Sequence, residues 1–152
     1  WLNFFVIISI VCKQLTSYPV LFFSVDPDLP IHSEPKFIVF YSILLGLFSI
    51  FCFNCKSNNP TVSMKQDGTM VVVRQSCNRC SGFTWISQPY VFGRFLAGNI
   101  LLSFSTLMAG VSISRVLLMF RHMGLSAYSP QTYFSHQRKL IFPTVIKNWN
   151  DY

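Results

Sequence analysis

Four cysteines stand in two C-x-x-C pairs, CFNC at 52–55 and CNRC at 77–80, with 21 residues between the pairs. Two residues between thiols let one tight turn present both sulfurs to a single ion, and zinc favours four thiolates in a tetrahedron. A hairpin between the pairs returns the second turn to the first. The spacing therefore points to Cys52, Cys55, Cys77 and Cys80 as metal ligands and to Zn2+ as cofactor, rather than to a disulfide framework or a redox pair. A segment of about 40 residues is too short to build an adequate core alone, so the metal would contribute directly to folding. Lys56 and Ser81 follow the two turns, at positions where glycine would be comfortable. The fifth cysteine, Cys12, stands alone and reads as a small buried apolar residue.

Acid–base and nucleophilic chemistry find little material. Asp26, Asp28, Glu34, Asp67 and Asp151 are the whole acidic inventory. His32, His122 and His136 have no evident carboxylate partner in sequence, and no glycine-rich phosphate loop occurs. The expectation is a protein without catalytic activity of its own.

The 152 residues are 51% apolar and 11% charged, yet the net charge is +7. An ordinary soluble domain carries about 25% charged residues, and disordered chains are charge-rich and apolar-poor, so extensive disorder is excluded. Residues 1–51 carry a net charge of −1, whereas 52–109 and 110–152 carry +4 each. The basic character thus belongs to the cysteine-bearing part and the residues C-terminal to it, and it suits a polyanionic partner.

These residues need elements to position them. Residues 1–36 read as an apolar segment followed by a Pro-rich extended linker at 26–36, and the absence of an initial Met suggests a piece of a longer protein. Residues 37–51 read as an apolar helix. The uncharged run continues to Phe53, which is near the lower length limit for a membrane span. Residues 52–90 read as a zinc ribbon, with strands on both sides of Asp67-Gly68 in a type I′ hairpin turn and a third at 83–87. Residues 95–150 read as a helical, helix-turn-helix-like domain. Its first helix covers 95–109. The second is capped by Ser112 and closed by Gly124. The third has Ser129 as cap and Pro130 at its first position and runs to Pro143. A last turn or two follows to Trp149. The expected fold is therefore small α+β: a ribbon of three short antiparallel strands, then three helices.

In the capped helix pair, the second helix is polar and basic on its expected outer face. A major-groove reader requires that arrangement. Gln131 and His136 are the candidates for base edges, Arg138, Lys139 and Arg121 for phosphate, and Thr132 and Ser135 complete the DNA-binding set. Two other readings compete: a small membrane protein with spans near 37–53 and 95–114, and a zinc ribbon that binds another protein.

From about Glu34 to Trp149 the chain resembles a region of uncharacterised, transposon-derived proteins of animal genomes. The matching stretches are EPKFIVF, the CFNC and CNRC pairs with GTMVVVRQ between them, TWISQP, AGNILLS and the tail GLSAYSPQTYFSHQRKLIFPTVIKNW. In that family a Cys-rich zinc-binding segment precedes a helical DNA-binding segment and a DDE-type transposase core. The resemblance implies a nuclear, double-stranded-DNA-associated protein with the four cysteines as ligands. It also implies that a catalytic triad of acids would lie beyond Tyr152. The chain departs from the pattern at YSILLGLFSIF, where a soluble helix would carry polar residues.

Overall fold

The computed structural model describes residues 29–150. The apolar segment at 1–25, with Cys12, and the acids Asp26, Asp28 and Asp151 lie outside the described residues. Two compact units divide the chain, Trp1–Pro35 and Lys36–Tyr152. In the first, the amides of Ser33 and Glu34 both donate to the Pro30 carbonyl, so the expected extended linker contains a turn.

In the second unit the apolar run does not form one helix. Residues 37–40 have no regular structure, α1 covers Tyr41–Ser49, and Phe51 forms a β-bridge with Asn58. The chain leaves the helix because the Cys52 amide donates to the Ser57 carbonyl and the Lys56 amide to the Cys52 carbonyl, closing the first cysteine turn. That turn claims residues that a span would need.

The sheet comes next: β1 (Thr61–Asp67), β2 (Met70–Cys77) and β3 (Cys80–Ile86), antiparallel in that order. Register obeys the period of two. Val62 and Met64 of β1, Val73 and Gln75 of β2, and Phe83 and Trp85 of β3 share one face. The α1 side covers that face, with the Phe48 ring 5.3 Å from Trp85 and 5.1 Å from Phe53. Asp67 pairs with Met70, so the hairpin loop is Gly68-Thr69 and not Asp67-Gly68. Gly68 has φ +56, and Thr69 is not among the positive-φ residues, as a glycine-first type II′ turn requires. The one-residue difference has a tertiary cause, because Asn99 binds both the amide and the hydroxyl of Thr69, at 2.9 and 2.8 Å.

Two short strands that the sequence pattern does not announce, β4 (Tyr90–Val91) and β5 (Phe95–Leu96), pair before the helices begin. The first long helix, α2, therefore starts at Ala97 and ends at Met108. Then come α3 (Ile113–Met123), α4 (Pro130–His136), a wide π-turn at Gln137–Ile141 and α5 (Phe142–Asn150). Three of the expected helix-end signals take their places. Ser112 stands at the N-cap position of α3, although its hydroxyl makes no cap hydrogen bond, Gly124 closes the helix with φ 69, and the Ser129 hydroxyl accepts from the Thr132 amide ahead of α4. Pro143 does not stop the helix. Its ring would crowd the carbonyl four residues earlier in a regular helix, but the preceding turn is widened, with the Phe142 amide donating to the Gln137 carbonyl.

Ile113, Tyr128 and Tyr133 form the helical core, with Leu102 and Leu117 packed against them. The protein is thus small α+β, a three-stranded antiparallel sheet followed by helices. At 9 and 12 residues, α1 and α2 fall short of a span. Among the described residues no helix is long and apolar enough to cross a membrane, which removes the two helical spans expected near 37–53 and 95–114.

Candidate metal centre

The two cysteine turns meet at one end of the sheet. The first is the loop between α1 and β1, and the second is the tight connection from β2 to β3, where Cys77 pairs with Cys80. The β2–β3 register shifts between Gln75 and Cys77, and such an irregularity re-aims a side chain. Gly82 comes next with φ +83, and a Cβ there would lie 2.2 Å from the Gln75 carbonyl oxygen. Only glycine permits that approach. In the first turn Lys56 adopts φ 60 without being glycine, a conformation that costs about 1–2 kcal/mol. Its ammonium lies over the rings of Phe51 and Phe53, 4.9 and 5.8 Å from their centroids.

The four sulfurs of Cys52, Cys55, Cys77 and Cys80 all lie within 4.8 Å of one another. Cys52 lies 3.6 Å from Cys80 and Cys55 lies 3.5 Å from Cys77. A tetrahedral ion about 2.3 Å from each sulfur spaces them about 3.8 Å apart, so the donor set fits one ion. All four are free thiols, Cys52 buried, Cys55 exposed and the others half-buried. Backbone amides aim at two of them, Arg79 to Cys77 at 3.4 Å and Gly82 to Cys80 at 3.3 Å.

Ser57 sets the charge state of one side of the cluster. Its hydroxyl lies 3.3 Å from Cys55 and 2.9 Å from Cys77. Hydrogen bonds from the Ser57 side chain and then its backbone lower Cys55 to about 6. Ser57 is also the leading cause of the lowered value at Cys77. At Cys80 the Gly82 amide acts downward, but desolvation and the three neighbouring thiols outweigh it and push the group up to about 11. Without a metal, Cys55 is therefore the thiol most readily ionised and Cys80 the one that keeps its proton. A bound cation would displace the Cys80 proton.

Sequence reasoning missed Gln75. Only 3% exposed, it donates to the carbonyls of Phe48 at 2.6 Å and Phe51 at 2.9 Å and accepts from the Phe53 amide at 2.9 Å. It therefore clamps both neighbours of Cys52 to β2. A polar residue at an inward position of the strand MVVVRQSC was the available signal.

The residues expected to read DNA divide into two groups. Arg121 on α3, Gln131 on α4, and Arg138 and Lys139 in the π-turn are exposed; Thr132 and Ser135 are half-buried. His136 is only 5% exposed and points into the core, so it is not on the outer face. Its Nδ1 lies 2.8 Å from the Ser103 hydroxyl, which also meets the Tyr128 hydroxyl at 2.7 Å and donates to the Asn99 carbonyl at 2.9 Å. Ser103 has one proton to give, so Tyr128 and the Nδ1–H of His136 both donate to it. Desolvation lowers the His136 pKa and keeps the ring neutral. Ser103 has no exposure, so this network is structural and not an open nucleophile site.

No protein-family model matches the chain, and neither a curated protein nor a solved structure is significantly similar to it.

Proposed function

We propose that the protein is a non-catalytic, zinc-dependent DNA-binding module, a nuclear part of a transposase-like protein. The convergence of four cysteine sulfurs at the sheet's end carries the reading. Four thiolates around one ion leave no ligand position for substrate, which is the pattern of a structural rather than a catalytic zinc. An ion held by these four sulfurs would tie the α1–β1 loop to the β2–β3 turn.

Charge supports the DNA part. From residue 37 to 150 ten Lys and Arg stand against the single acid Asp67, and such a field attracts phosphate. In the helix-turn-helix-like reading, Gln131 contacts base edges while Arg121, Arg138 and Lys139 hold the backbone. Thr132 and Ser135 flank that contact. His136 has no base contact in this reading.

The test is metal analysis of the purified protein, followed by DNA titration at increasing salt. The expected outcome is one zinc per chain and duplex affinity that falls steeply with salt. The double substitution Arg138→Ala, Lys139→Ala should weaken binding on all sequences, whereas Gln131→Ala should alter preference. Zinc-loaded protein that ignores DNA at low salt would leave a protein-interaction ribbon as the reading. Protein that holds no metal would defeat the reading altogether.

A further inference from the structure

The sheet has a second face, which α1 does not cover. Register places Lys65, Val72 and Ile86 in one row, Ser63, Arg74 and Thr84 in the next, and Thr61 with Ser76 in a third. Met70 closes this face at the hairpin end, being only 1% exposed. Farther along, Ser63, Lys65, Arg74, Thr84, Thr61 and Ser76 are all exposed. Thr61 and Ser76 also line an open cleft of about 350 Å³ that continues past the sheet between the two cysteine turns. Its other walls include Lys56, Asn58, Asn59, Asn78 and Arg79. No carboxylate lines the cleft or stands in the three rows.

We propose that this open face and the cleft form one continuous seat for the sugar–phosphate backbone of duplex DNA. The proposal rests on the DNA-binding reading and moves part of the interface from the helices to the ribbon. Three observations carry it. The first is composition: hydroxyls, side-chain amides and cations are the groups that contact phosphate and sugar. The second is continuity, because Thr61 and Ser76 belong to both face and cleft. The third is length. The rows span about 14 Å along the strands, long enough to meet more than one phosphate of a DNA strand. Lys56, Lys65, Arg74 and Arg79 supply four positive charges, more than the two negative charges of a zinc tetrathiolate, so the strip stays cationic with the metal bound. None of these residues belongs to the helical contact set.

The experiment compares Arg74→Gln, Arg79→Gln with Arg138→Ala, Lys139→Ala in the full zinc-loaded chain. Zinc content and far-UV circular dichroism confirm that each variant is folded, and Lys65→Gln gives an independent variant. Loss of two phosphate contacts should reduce the slope of log affinity against log salt by about 1.8, without changing sequence preference. Unchanged slope and affinity in the Arg74/Arg79 and Lys65 variants, with the helical variant weakened, would overturn this inference and leave the DNA reading standing. Failure of the unmodified protein to bind any duplex at low salt would remove the DNA reading and this inference with it. Inorganic phosphate is the second arm. At matched ionic strength it should compete no better than chloride. Saturable phosphate binding by the unmodified protein with no duplex binding would assign the cleft to a free anion and overturn the proposal.

Discussion

At the scale of single residues, two side chains outside the cysteine set govern the candidate metal centre. Ser57 bridges Cys55 and Cys77 and holds Cys55 near 6, against an ordinary 9.0. Ser57→Ala should move the Cys55 alkylation midpoint of the metal-free protein upward, toward the ordinary thiol value. Mass-resolved thiol labelling across pH would detect the change. A proton then competes with the metal at higher pH, so loading should also shift to more alkaline conditions. Gln75 acts on geometry instead. Gln75→Leu fills a similar volume but leaves the Phe53 amide and two carbonyls without their partner. Unsatisfied buried groups cost about 1–3 kcal/mol each. The expected result is a lower thermal midpoint and weaker metal affinity, read by calorimetry and chelator competition, although no metal ligand has changed.

At the scale of elements, polar contacts join parts that hydrophobic patterning leaves independent. Asn99 on α2 holds the hairpin turn through Thr69. Gln88 extends that link, binding the Thr69 hydroxyl and accepting from the Gly98 amide. Ser126 in the α3–α4 connection reaches Gln66 at 2.7 Å. Farther along α2, Ser103 unites its helix with Tyr128 and with His136 of α4. This network has a pH signature. Burial lowers the folded pKa of His136 below its ordinary 6.5, so between the two values the unfolded chain binds more protons. The His136 contribution is complete above about pH 6.5 and is lost as pH falls through the folded value. Denaturant midpoints measured through that window should fall with pH, and His136→Gln should flatten the dependence. The same elements explain why only part of the helical region was legible. Ser129-Pro130 and Gly124 announce helix ends through local backbone chemistry. The continuation through Pro143 depends on a widened turn that no residue type requires.

At the scale of the whole molecule, the cysteine end of the sheet has little core of its own, and an ion held by the four sulfurs would supply the missing tie. Near the cysteine turns the inner sheet face rests on α1 through Phe48, Phe53, Phe83 and Trp85, and few other described side chains there are fully buried. Chelation of the zinc-loaded protein should therefore unfold the ribbon, seen as loss of near-ultraviolet signal from Trp85, while helical ellipticity persists in part. Persistence of the Trp85 signal after complete metal removal would show that aromatic packing suffices. Outside that core, α1 and its flanks display Phe40, Ile43, Leu47 and Ile50, each more than half exposed. This explains why composition alone kept a membrane span in contention: the apolar run is real, but only 9 of its residues are helical.

The sequence by itself determined the grouping of the four cysteines, the antiparallel hairpin, the ends of α3 and the start of α4, because each depends on spacing or on the backbone preferences of a few neighbouring residues. Tertiary structure decided the hairpin register, the division of the apolar run, the inward turn of His136 and the part played by Gln75. Each of these was settled by a partner that no local rule names: Asn99 for Thr69, Ser57 for Cys52, Ser103 for His136, and Phe48, Phe51 and Phe53 for Gln75. A buried polar group needs a hydrogen-bond partner, and which group supplies it is known only once the chain has folded.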